Sequence, residues 1–288
     1  LDFPDLTVDG SFVFGMTVCA AVTIAGHPVL GLFAGAAAGA LAGFFTAFLQ
    51  TKLKIEAILS GILVAAGLYT VNYAVLGGQS NLYLQYTTTN SVGAQVNEAS
   101  PTIYKNFSAL LNGIQSPYLD SNAQVFLLTG VIVVILVAAL SVFFFTRPGM
   151  AVRATGDNEE MVRSSSINAD LTRTAGVMLA NALVALSGAL LCEQQRYADL
   201  NCGSSMLVMG LASVIIGQVI FGDRGIVGGL ISAAAGSLLY RIMIQAAYMI
   251  DMPSYAVKLL STLIVVAALA LPLLKKKLSG NKKGGDSL

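Results

Sequence analysis

The chain has 288 residues, 56% of them hydrophobic and only 11% charged, with a formal net charge of +1 and a mean hydropathy of +0.76. Soluble domains carry about 25% charged residues to solvate their surface. A soluble enzyme, a disordered chain and a coiled coil are therefore excluded, and a near-zero net charge gives no basic field for nucleic acid.

Long apolar runs between short polar clusters are the layout of a polytopic membrane protein. A bilayer core of about 30 Å takes roughly 20 helical residues. Eight apolar segments are predicted, at 11–26, 28–50, 55–76, 123–146, 171–193, 205–221, 226–247 and 255–274. The first reaches only about 24 Å at 1.5 Å per residue, too short to span comfortably. Pro28 suits the first turn of the second segment, where its missing N–H costs nothing. Arg147-Pro148 closes the fourth. Because the segments alternate, the loops 51–54, 147–170 and 222–225 and the basic tail 275–288 share one side. Together with Arg173 they hold 12 of the 16 basic residues. The excess of Lys and Arg makes that side, and the C-terminus, cytoplasmic. The stretch 77–122, whose one basic residue is Lys105, is then an extracytoplasmic loop.

Pro4-Asp5-Leu6-Thr7-Val8-Asp9-Gly10-Ser11 leads into the short first segment. Such a run reads as a discontinuous helix, since irregular backbone is tolerated at membrane depth only beside a cavity or inside protein. Asp9 or Ser11 is expected to cap the half-helix, whose free N–H groups would suit a carboxylate ligand. Asp9 opposes that field and is suited to an ammonium group instead. An ordinary cytoplasmic N-cap is an equal alternative. Leu1 is not an initiator Met and on this parity starts on the cytoplasmic side, or in a cavity open to it, so a preceding hydrophobic helix is expected.

Gly31, Gly35, Gly39 and Gly43 recur every four residues in the second segment. They make a ridge on which another helix backbone approaches closely, with packing inside the chain favoured over a subunit interface. Asn72, Asn181 and Gln218 lie within helices and read first as hydrogen-bonded packing residues. No carboxylate falls at mid-helix; Glu56 and Glu193 are placed at helix ends. The usual ligands for a coupling ion are thus missing. His27, the single histidine, sits in an Ala-Gly-His-Pro turn and permits neither a Ser-His-Asp arrangement nor a histidine metal cluster. Cys19, Cys192 and Cys202 show neither a disulfide framework nor zinc spacing. No G-x-x-x-x-G-K-[ST] loop occurs, so a pump of this kind draws its energy from another subunit.

In the loop 147–170, Asp157 followed by Glu160 resembles a capping box, and a short helix is predicted from about 158 to 165. Its Met161 and Val162 amid charge suit a docking knob for a soluble partner, or equally a plain surface helix. Arg153-Ala154-Thr155-Gly156-Asp157-Asn158, then Met161, then Ile167-Asn168, resembles the coupling segment of bacterial ABC-importer permeases of the branched-chain amino acid and ribose class. Asp5-Leu6-Thr7-Val8-Asp9-Gly10-Ser11-Phe12, Asn181 to Leu190, Tyr197-Ala198-Asp199 and Gly210 to Gly217 agree in order along nearly the whole chain. The closest resemblance is to permeases encoded beside lipoprotein-type binding proteins for tryptophan, tyrosine and related amino acids. Ser166 departs from the Gly usual before Ile-Asn and leaves the end of the coupling helix open. A hydrophobic helix usually precedes the Asp-Leu-Thr-Val-Asp-Gly run in that subfamily.

The resemblance implies an all-α integral membrane protein of the bacterial cell membrane, a polytopic helical bundle acting as a single permease domain over 1–288. Two copies would form the pathway in the lipid bilayer. An ABC ATPase subunit would use ATP below it, and an extracytoplasmic substrate-binding protein would deliver a small solute, an amino acid with aromatic ones included. Arg153, Asp157, Asn158, Met161, Ile167 and Asn168 would couple to the ATPase. Asp9, Gly10, Ser11 and Asn181 would line the path. No catalytic residue, metal or cofactor is expected on this chain. A sugar or nucleoside substrate, a gradient-driven transporter or channel, and more distantly a membrane enzyme are the rival readings.

Overall fold

The computed structural model describes residues 5–89, 95–113, 121–165, 167–204, 206–222 and 225–250, together with Leu259 and Leu263. Seven of the eight expected apolar segments fall there and are helices: α1 (Val8–Ile24), α2 (Pro28–Thr51), α3 (Ala57–Val75), α5 (Ser121–Phe145), α8 (Ala169–Gln195), α9 (Met206–Phe221) and α10 (Gly225–Met249). Six helical stretches among the described residues are long and apolar enough to cross a membrane, and α1 is a shorter apolar helix. The segment 255–274, Leu259 and Leu263 apart, and the tail 275–288 lie outside the described residues. The fold is all-α with short strands, β1 (Asn81–Tyr83), β2 (Gln85–Thr89), β3 (Gln95–Ala99) and β4 (Tyr197–Asp199), and the smaller helices α4 (Ile103–Gly113), α6 (Arg147–Asp157) and α7 (Glu159–Ser164).

The chain divides into two units, Leu1–Leu136 with Val142–Met206, and Val137–Ser141 with Leu207–Leu288. In the first, α1 lies against α2, α3 and α8, with Phe12, Val13, Met16, Cys19 and Ala20 all buried. Glycine makes this possible. A Cβ on Gly15 would overlap the Ala185 backbone, and one on Gly188 would overlap the Phe12 carbonyl. The ridge of α2 faces inward as well: the Cβ site of Gly35 lies 2.8 Å from the Gly15 carbonyl oxygen, that of Gly43 lies 2.7 Å from the Val177 carbonyl oxygen, and that of Gly39 falls on Ala185 and Asn181. The ridge is therefore packed within the chain, where small residues let backbones meet and gain dispersion contacts that apolar lipid does not otherwise drive.

α5 is different. It has a mean hydropathy of 3.0 over its most apolar window, no residue of which is buried, as expected of a helix solvated by lipid. In the second unit α9 and α10 pack by the same device. Gly217 meets the Ser232 carbonyl and Gly236 meets that of Ser213, beside a cluster of Ala212, Ile216 and Tyr240.

Several local expectations are corrected. α1 starts at Val8, with Thr7 at the N-cap making no side-chain cap bond. Neither Asp9 nor Ser11 caps it; instead the Thr7 N–H donates to Asp5 Oδ1 at 2.9 Å. The connection between α3 and α5 carries β1, β2, β3 and α4. β1 pairs antiparallel with β4, Leu82 opposite Ala198, and β2 pairs with β3 as a hairpin. Arg147-Pro148 does end α5, but Pro148 opens α6, where a proline in the first turn is at no disadvantage.

Replacing Gly39 by Leu is expected to force α2 off α8 and lower the thermal stability of the detergent-purified protein by about 1–3 kcal/mol or more. Gly67, with open space around its Cβ site, is the control in the same assay: Gly67→Ala should raise stability by about 0.5–1 kcal/mol through helix propensity.

Candidate functional site

The start of α1 is the point at which the fold concentrates polar groups. Val8 to Ser11 do not lie at the end of the neighbouring helices but halfway along them. The Cβ site of Gly10 is 3.1 Å from the Cα of Ala65, midway in α3. The Ser11 hydroxyl donates to Asn181 Oδ1 at 2.6 Å, midway in α8. The Asn181 amide in turn donates to Asp5 Oδ2 at 2.7 Å and to the Val177 carbonyl at 3.1 Å. Thr7 Oγ1 and Thr46 Oγ1 are 2.9 Å apart. Ser11, Asn181, Thr7 and Thr46 have no exposed surface. α1 thus begins beside the middle of α3 and α8, with its lead-in held by side chains.

A cavity of about 170 Å³ opens beside this start. Asp9, Gly10 and Val13 of α1 form one wall, and Ala65, Tyr69 and Asn72 of α3 a second. The third comes from Leu200, Gly203 and Ser204. Those last residues belong to the 3-10 turn Leu200–Gly203 and its C-cap, reached after α8 ends and β4 passes. The turn comes down onto α1 so closely that a Cβ on Gly203 would overlap the Asp9 carbonyl. Asn72 accepts the Thr17 hydroxyl at 3.3 Å and holds the Gly10 carbonyl at 3.5 Å. An apolar pocket with few convergent polar groups, including one carboxylate, is the usual form of a small-molecule site.

The four path residues therefore divide. Asp9 and Gly10 line the cavity, whereas Ser11 and Asn181 are saturated with internal partners behind it. Tyr69 and Ser204 were not singled out in the sequence, and Asn72 was read first as a packing residue rather than a ligand. No local signal marks Ser204, which reaches the site only because the 3-10 turn folds back. Gln218 is exposed on α9, and His27 is the exposed N-cap residue of α2.

The coupling candidates lie together on α6, α7 and the start of α8, and all six are exposed. Met161 and Ile167 are 55% and 40% accessible, a large apolar exposure outside the apolar spans. The two asparagines are helix N-caps. Asn158 Oδ1 accepts the Met161 N–H at 3.0 Å, so Asn158 and not Asp157 caps α7. Asn168 Oδ1 accepts the N–H groups of Asp170 and Leu171 at 3.1 and 3.2 Å. Asp157 is the last residue of α6. Ser166 lies outside the described residues.

What sequence reading missed here is Arg163. Its guanidinium donates to Glu159 at 2.7 Å and to Asp170 at 2.8 Å, tying α7 to α8. Those hydrogen bonds, to Glu159 first and then to Asp170, hold its pKa above the ordinary arginine value. Thr155 of α6 and Thr172 of α8 meet at 2.8 Å, and Val162 is buried beneath. The segment is fixed to α8 by both a polar and an apolar contact.

The chain is 32% identical over 271 residues to a protein named tyrosine transport system permease protein from Clostridioides difficile (strain R20291), covering 94% of this chain and 82% of that one. It is 28% identical over 221 residues to an uncharacterized protein of Rickettsia prowazekii (strain Madrid E), covering 77% and 69%. No solved structure matches it with significance. Residues 2–269 match the family described as branched-chain amino acid transport system / permease component, and with a mostly apolar cavity at the start of α1 inside a set of apolar helices, the chain belongs to that permease family.

Proposed function

We propose that this protein is the membrane-spanning permease subunit of an ATP-driven importer, passing an amino acid, aromatic ones included, from an extracytoplasmic binding protein into the cytoplasm. The observation that carries the reading is the cavity at Asp9, Asn72 and Ser204, built where α1 begins halfway along α3 and α8, in a chain of the permease family. The name of the Clostridioides relative, a tyrosine transport permease, supports the amino acid class.

On this reading the side holding 51–54 and 147–170 is cytoplasmic, as the distribution of Lys and Arg requires. Two copies form the pathway and two ATPase subunits dock on the exposed Met161 and Ile167. Arg153 and Asp157 flank them with opposite charges for orientation. ATP-driven closure pushes on 153–168. α6 and α7 are pinned to α8 through Thr155–Thr172 and Arg163–Asp170, so the push moves α8 as a unit. α8 in turn carries the Asn181 amide that holds Asp5 and Ser11 at the head of α1. The cavity wall thus shifts with the coupling segment, a rigid-body switch of access. Asp9 receives the solute's ammonium group, Tyr69 offers an aromatic face, and the apolar wall of Val13, Ala65 and Leu200 takes the side chain.

In proteoliposomes holding the permease with its ATPase subunit and supplied with binding protein, Asp9→Asn is expected to cut amino acid uptake about tenfold, the loss of one hydrogen bond to a charged group being about 1.5–3 kcal/mol. ATP hydrolysis should continue, and uptake at the wild-type rate would refute the assigned role of Asp9. Met161→Glu is expected to abolish co-purification of the ATPase subunit, and with it ATP-driven uptake, while thermal stability stays within about 0.5 kcal/mol, as for an exposed substitution. Uptake by the wild-type chain without any ATPase, abolished by an ionophore, would replace this reading with a gradient-driven one.

A further inference from the structure

One titratable side chain takes no part in either the cavity or the coupling segment. Glu193, near the C-terminal end of α8, has no exposed surface. No ion pair to it is found among the described residues; hydrogen-bond donors from two other elements hold it. The Thr23 hydroxyl of α1 donates to Oε1 at 2.5 Å, and the Cys19 thiol approaches the same oxygen at 3.6 Å. Oε2 accepts the backbone N–H of Ile103 at 2.9 Å. Ile103 is the first residue of α4, where free N–H groups and the helix dipole favour an anion or acceptor. A buried carboxyl is costly to keep, so its retention in a place that an apolar residue would fill calls for a reason beyond packing.

The surroundings supply one. Leu84 donates its N–H to the Arg196 carbonyl at 2.9 Å, and Ser100 donates its N–H to the Leu84 carbonyl at 2.9 Å. Leu84 and Ser100 flank the β2–β3 hairpin, and Arg196 is the C-cap of α8. The base of the hairpin and the start of α4 are therefore both fastened to the same end of α8, the second through Glu193. α8 runs without proline from Ala169 to Gln195, about 40 Å at 1.5 Å per residue. At its other end it holds α6 and α7. α1 is attached to α8 twice, by Ser11–Asn181 near the cavity and by Thr23–Glu193 at the far end.

We propose that Glu193 is a positioning residue that transmits load: it fastens the 95–113 segment to α1 and α8, so that binding-protein docking on that side reaches the cavity wall and the coupling segment together. The claim rests on the permease reading given above. Coupling of this kind needs a contiguous set of contacts with a rigid element between two sites, and α8 with its polar attachments at both ends and at Asn181 provides it.

The test uses the permease with its ATPase subunit in proteoliposomes, reading basal ATP hydrolysis separately from the increment produced by solute-loaded binding protein. Glu193→Ala is expected to leave basal hydrolysis unchanged and to cut the increment, and uptake with it, by about tenfold, an ordinary size for coupling between two sites. Glu193→Gln keeps an acceptor for the Ile103 N–H and an amide to donate to Thr23, and should restore the increment. An intact increment in Glu193→Ala overturns the proposal, and so does an equal loss of basal and stimulated rates, which marks a merely structural residue. Should Glu193→Ala not fold, Thr23→Val, which removes the hydroxyl donor from α1, takes its place with the same two outcomes. A wild-type chain that shows no binding-protein-dependent hydrolysis defeats the permease reading. Glu193 is then judged by amide exchange at Ile103 in the purified chain: acceleration of about tenfold in Glu193→Ala supports the attachment, and unchanged exchange refutes it.

Discussion

The fold turns on the approach of one helix backbone to two others. α1 is short, buried or half-buried along nearly its whole length, and it packs on α2 and α8 because Gly15, Gly35 and Gly188 leave no side chain where the backbones meet. In lipid there is little hydrophobic gain from bringing two apolar helices together, so close van der Waals contact has to supply it. Only glycine lets that contact run from carbonyl to Cβ position along the helices. A helix too short to cross a bilayer is thereby held beside the middle of its longer neighbours.

Once α1 is held there, its polar lead-in has to be satisfied without water. Asp5, Thr7, Ser11, Thr46 and Asn181 form that set, and its bonds join the lead-in of α1 to α2 and α8. The side chains that fix α1 are consequently distinct from those that line the cavity. Asp9 and Gly10 turn toward the cavity while Ser11 and Asn181 turn away from it. The same economy appears at the coupling segment, where the two asparagines are occupied as helix caps and the apolar Met161 and Ile167 stand free.

The span positions were legible because a run of Leu, Ile, Val and Ala of membrane length admits one structure. α2, α3, α5, α8, α9 and α10 lie within a few residues of the predicted segments. The caps were less legible. Asp157 and Asn158 are both good N-cap residues, and which one serves depends on where α6 stops, a matter of packing on α8. Glu193 was read as a helix-end residue, ordinarily a solvated place. Its burial arises from α4, more than eighty residues earlier in the chain, whose first N–H group comes to it.

By itself the sequence determined that the chain crosses membranes, roughly where each helix lies, and that the stretch before α1 breaks regular structure, since hydropathy and glycine spacing act over one or two helical turns. Tertiary structure alone decided which residues face the cavity. Ser204 reaches the cavity that Asp9 lines only because the 3-10 turn after β4 folds back onto α1, Gly203 against Asp9. Contacts of that separation are set by how three helices meet, and no local pattern of residue types records it.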